Sequence, residues 1–176
     1  MLRMPWKIRI GLVACGYAMA IGIAAILIVW RYWQYESHPA DVAASGGMWA
    51  GGDLMLEWFI CGMLLVVTFF LVLVIYTSET AYTNYAKVLI AVSVTAPASV
   101  GLIAIPAVSQ GTSLVGWVCL FRVFASPLVL LGLGMSRLFA RFPKAKRMTN
   151  CALLIEALTL VFMFLMLFLP VHLHWA

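Results

Sequence analysis

No charged residue lies between Glu57 and Glu79, and the run that starts there, WFICGMLLVVTFFLVLVIY, is apolar almost throughout. A helix needs about 20 such residues, at about 1.5 Å each, to cross the hydrocarbon core of a bilayer. A soluble fold has no place for a stretch of this length without polar relief. Four more segments have the same character. Spanning helices are therefore expected at about 8–30, 54–76, 88–108, 114–135 and 151–169. The fold class is an all-α membrane protein, a bundle of five transmembrane helices in one domain covering residues 1–176.

Composition supports lipid as the solvent. The chain is 65% hydrophobic and 10% charged, against about 25% charged in soluble domains. The net charge of +5 does not mark a nucleic-acid partner, because the basic residues follow membrane topology instead. Arg3, Lys7 and Arg9 precede the first span, and Arg137, Arg141, Lys144, Lys146 and Arg147 follow the fourth. Both groups fall on one side, which the excess of Lys and Arg makes cytoplasmic. The N-terminus is then cytoplasmic and the C-terminus outside. Trp30, Tyr32, Trp33 and Tyr35, then Tyr76, Tyr82 and Tyr85, and last Trp175 are expected at the interfaces as aromatic belts. "LVAC" ending at Cys15 resembles a lipoprotein box, and "AMA" at Ala18–Ala20 a peptidase site. Too few apolar residues separate Arg9 from Cys15, and the apolar run continues to Trp30, so an uncleaved signal anchor is expected.

Cys15, Cys61, Cys119 and Cys151 lie in apolar runs and form no CxxC pair. They are expected to be free thiols buried between helices, not a redox pair or a zinc site. The first span carries small residues at four-residue spacing, Ala14, Ala18 and Gly22, with Gly16, Ala20 and Ala24 alongside. Such ridges let helices approach closely. The third span is rich in Ala, Ser, Thr and Gly, which suits the inside of a bundle. Its Pro97 should kink it and leave the Ser93 carbonyl without its usual partner. The second and fifth spans are bulky, as lipid-facing helices are. A re-entrant piece around "PAVSQGTSLVG" would reduce the count to four spans.

The first connection, RYWQYESHPADVAASGGMWAGGDLMLEW, offers Glu36, His38, Asp41, Asp53 and Glu57. These residues would suit an outward-facing metal or acid–base site, but their spacing matches no ligand pattern. The plainer reading is a solvated loop in which His38-Pro39 starts a turn, the glycines give flexibility and Asp53 caps the second span. Glu57 would then favour the positive end of that helix. Within this loop "SGGMWAGGDLMLEW" resembles a Gly-Gly-Met-x-Ala-x-Gly-Asp turn found before a transmembrane helix in a set of uncharacterised small multi-pass bacterial inner-membrane proteins, although Gly51 stands where they tend to have an aromatic residue. The resemblance covers Ser45–Trp58 alone. It implies a bacterial inner-membrane location and no activity. His172 and His174 could join His38 in a metal site if the tail is extended. No span contains a histidine pair for haem, and no HExxH, GxSxG or P-loop occurs. No cofactor, catalytic residue or resident metal is expected.

Arg122 stands in an otherwise apolar fourth span. Uncompensated near the bilayer centre it costs about 2.5–3.5 kcal/mol, so it requires a partner. On a straight-helix count, Glu57 of the second span lies within its reach, with Asp53 behind it. Glu156 in the fifth span leans instead toward Lys146 or Arg147, or serves a proton relay. Three function classes follow. The leading one is a non-enzymatic subunit, scaffold or accessory factor of a membrane complex, with a membrane-protein partner or a second copy. The second is a small oligomeric transporter or channel built on the third helix, with Ser93, Thr95, Ser99 and Arg122. The third is a membrane enzyme with its site in the first outer loop.

Overall fold

The computed structural model describes residues 5–105 and 114–173, with side chains up to Met166. Among the described residues the chain is all-helical. Its elements are α1 (Trp6–Ser37), α2 (Pro39–Ala44), α3 (Gly46–Ile75), α4 (Glu79–Ile103), α5 (Leu114–Phe124), α6 (Ser126–Phe139) and α7 (Pro143–Leu173). Four of these, α1, α3, α4 and α7, are long and apolar enough to cross a membrane. The pair α5 and α6 passes the same test together but is bent by 48°. Read from sequence as one domain, the chain has contacts that cluster into two compact units, one ending at Val74 and the other starting at Ile75.

In the first unit the expected loop is helical. α1 continues to Ser37, where Pro39 forces His38 out of the helical region (φ −131°, ψ 53°). Pro39 then opens α2, where its missing N–H costs nothing. Ser45 ends α2, and α3 begins at Gly46 rather than at Leu54. Gly46, Gly47, Gly51 and Gly52 are all helical, at a propensity cost of about 1 kcal/mol each. Near a membrane that cost is outweighed, because every backbone group left unpaired in apolar surroundings costs several kcal/mol. Two expectations fail as a result. Asp53 is not an N-cap, and Glu57 lies about three turns into α3, beyond the dipole of its first turn.

α1 and α3 are antiparallel, held at two heights: Gly16 against Val67 beside Tyr17 with Thr68, and Arg31 with Asp53. A Cβ at Gly16 would sit 3.3 Å from Val67 Cγ1, so a larger residue there would push the Val67 side chain aside by a few tenths of an ångström. The ridge that packs is therefore Gly16, Ala20 and Ala24. Ala14, Ala18 and Gly22 lie on the exposed face, contrary to their expected place in the seam.

In the second unit α4 packs along α7. The seam is small-sided, as expected for α4: Ala86, Ser93 and Ala96 on one side and Ala145, Thr149 and Ala152 on the other, all fully buried. Tyr82, expected in an interfacial belt, is also fully buried here. Its hydroxyl donates to the Ser136 carbonyl, while Tyr85 shares a hydrogen bond with Ser136 Oγ at 2.9 Å. α4 starts at Glu79, nine residues before its predicted start, because Ser78 caps it through the Ala81 N–H (3.4 Å). α4 runs unbroken through Pro97. The fourth segment does break, at Ala125, since Pro127 supplies no N–H and suits only the first turn of a new helix. Ties to α4 give its direction: Arg122 of α5 meets Val92 and Thr95, and Ser136 of α6 meets Tyr82. From α5 to α6 the chain thus descends toward the start of α4, and α7 runs parallel to α4. Against the expected burial, Cys15 and Cys151 are exposed, Cys61 is half-buried and only Cys119 is buried. The proposed re-entrant segment around residues 106–116 falls largely outside the described residues.

Candidate functional site: the Arg122–Glu156 clamp

Arg122 does not pair with Glu57. Its guanidinium grips Glu156 with two parallel hydrogen bonds, Nη1 to Oε1 at 2.9 Å and Nη2 to Oε2 at 2.7 Å. The straight-helix count started the last helix at Cys151, whereas α7 begins at Pro143. Glu156 is therefore about 20 Å along its helix at about 1.5 Å per residue, beyond reach of the basic first turn.

The remaining donors are also used. Nε donates to Thr95 Oγ1 at 2.7 Å, Nη1 to Ser126 Oγ at 3.3 Å and Nη2 to the Val92 carbonyl at 3.1 Å. The Thr95 hydroxyl gives its own proton to the Val92 carbonyl at 2.6 Å, which leaves its oxygen free to accept. A guanidinium has five N–H donors, and each has an acceptor within this chain. One head group thus ties α4, α6 and α7 to α5. The pair is lopsided in depth: the side chain of Arg122 is 16% exposed and that of Glu156 is 0% exposed. Sequence reasoning had placed Thr95 and Arg122 in one constellation, but it missed Ser126, although four-residue spacing puts it one turn from Arg122. Ser93, in the α4–α7 seam, has a buried Oγ without a hydrogen-bond partner.

A second polar cluster closes the corner of the first unit. Arg31 Nε donates to Asp53 Oδ1 at 2.5 Å, Nη1 to Gln34 at 3.2 Å and Nη2 to the Trp49 carbonyl at 2.8 Å. The guanidinium carbon lies 5.0 Å from the Tyr35 ring centroid and 4.4 Å from that of Trp49, and the Tyr35 hydroxyl donates to the other Asp53 oxygen. Asp53 is therefore consumed by a cage rather than offered to a substrate. His38 is exposed at the α1–α2 junction. Among the described residues no three His, Cys, Asp or Glu side chains converge as metal ligands; the side chains of His172 and His174 lie outside the described residues. The stretch expected as a loop is thus helical, and Asp53, one of its acids, is paired with Arg31. Arg31→Lys should not substitute for arginine, since an ammonium lacks the planar fork and stacks poorly. We expect it to lower the thermal midpoint in detergent nearly as much as Arg31→Ala; wild-type stability in Arg31→Lys would show the cage to be incidental.

Glu57, unlike Asp53, Arg122 and Glu156, has no partner for its charge among the described residues. Both of its carboxylate oxygens are buried without a hydrogen-bond partner. No family model, no curated protein and no solved structure matches this chain.

Proposed function

We propose that the protein is a non-enzymatic, multi-pass subunit or accessory factor of a membrane complex, in a bacterial inner membrane. One observation carries the reading: all five donors of Arg122, the cation best placed to receive a solute, are satisfied by acceptors of its own chain. The embedded charge holds helices together and has no donor left for an anion. The bacterial location rests on the resemblance at Ser45–Trp58, which in this fold lies across Ser45 and the first turns of α3. Solubilisation in a mild detergent should bring down a stoichiometric membrane partner. A chain that purifies alone and conducts solute in liposomes would replace this reading with the transporter. One feature favours that second reading: Arg122 sits where a proline-bearing helix meets a broken span, and broken helices frame the binding sites of many transporters.

The chain crosses the membrane five times in this proposal, with its N-terminus in the cytoplasm and its C-terminus outside. The parallel course of α4 and α7 supports this, because the bent pair between them must then return across the bilayer. A re-entrant pair would also put Arg137, Arg141, Lys144, Lys146 and Arg147 opposite Lys7 and Arg9, against the charge rule. In a cysteine-free background, Pro143→Cys should react with an impermeant maleimide from the cytoplasm and Ala44→Cys from outside. Labelling of both from one side would remove the bent pair, or another helix, from the count.

A further inference from the structure

The register of the first unit explains why Glu57 stands alone. Arg31 lies opposite Asp53, and Tyr17 opposite Thr68. One turn beyond Asp53 along α3, Glu57 comes level with Leu27, which has Ala24 and Ile28 for its helical neighbours. That stretch of α1 carries no donor. The nearest charged groups in the unit are Arg31, spent on Asp53, Gln34 and the Trp49 carbonyl, and Asp53 itself, held by Arg31 and Tyr35. Two acids thus face one arginine, and Asp53 takes it. An ionised carboxylate with buried oxygens and no partner is far more costly in apolar surroundings than the neutral acid, and unpaired acids within spans tend to be working groups.

We propose that Glu57 is a membrane-embedded proton-binding site, a carboxylic acid that takes up and gives back a proton within the α3 span. The proposal rests on α3 lying in the bilayer and is independent of what the protein assembles with. Dicyclohexylcarbodiimide, which partitions into lipid, reports such a group. The carboxyl proton passes to a carbodiimide nitrogen as the carboxyl oxygen adds to the central carbon, so the adduct keeps every atom of both reactants.

The experiment uses the full chain in lipid vesicles with peptide mass mapping. The adduct should appear on Glu57, form faster in mildly acidic than in mildly alkaline buffer, and be lost in Glu57→Gln. A water-soluble carbodiimide should leave Glu57 unmodified. Asp53 and Glu156, both held by arginines, should stay unmodified and so report that the fold is intact. No adduct on Glu57 in either buffer, while Asp53 and Glu156 remain protected, would overturn the proposal. So would a Glu57 reaction rate that is the same in both buffers.

Discussion

Removing either partner of the Arg122–Glu156 pair is expected to destabilise the purified protein by about 3–5 kcal/mol, the usual cost of stranding a buried charge. The two single replacements should differ. Arg122→Met abandons a carboxylate that is 0% exposed. Glu156→Leu leaves a guanidinium that keeps Thr95, Ser126 and the Val92 carbonyl as acceptors, so its loss should be smaller. The double replacement Arg122→Met/Glu156→Leu removes both charges together and should recover most of the loss, since a buried pair exchanged for apolar side chains of similar size is often neutral. Thermal unfolding in detergent, followed by tryptophan fluorescence, reads all three. Additive losses would mean that the two residues act separately and that the clamp contributes nothing as a pair.

The second large effect is expected at Tyr82. Its ring is fully buried at the start of α4 and its hydroxyl holds the Ser136 carbonyl of α6. Tyr82→Ala should cost about 3–5 kcal/mol, the range for losing a buried aromatic ring. Tyr82→Phe keeps the packing and strands the carbonyl, so it should cost about 1–3 kcal/mol. If Tyr82→Ala is as stable as wild type, the α4–α6 contact is not part of the core.

Much of the helical layout was legible because uninterrupted apolar runs have few alternatives in lipid. The ends of the helices were not. Glycines at 46–52 argue for a loop by propensity, yet the need to pair backbone groups kept α3 helical there, which displaced Asp53 and Glu57 from their predicted capping roles. α7 likewise starts before its apolar stretch, because Lys144, Lys146 and Arg147 are good helix formers that no apolar-window reading includes. That difference at the start of α7 decided the site: a helix begun at Cys151 puts Glu156 beside basic residues, and one begun at Pro143 puts it beside Arg122. Pro127 was visible all along as the cause of the break at Ala125, but the direction of a bend depends on what packs around it. Tyr82 shows the same gap. A tyrosine near the end of a span reads as an interfacial anchor, and only the neighbouring helices reveal it as core.

The clamp also sets an order of events during synthesis. Val92, Thr95, Arg122 and Ser126 leave the ribosome well before Glu156, because α5 and α6 precede α7 in the chain. While the nascent chain ends short of α7, the guanidinium has hydroxyls and a carbonyl to hold but no counter-charge. The bent fourth segment is then poorly suited to release into lipid alone, where a central arginine costs about 2.5–3.5 kcal/mol. If the bent segment crosses the bilayer as proposed, its charge is balanced only once α7 has delivered Glu156, which makes insertion of that segment depend on a helix made after it.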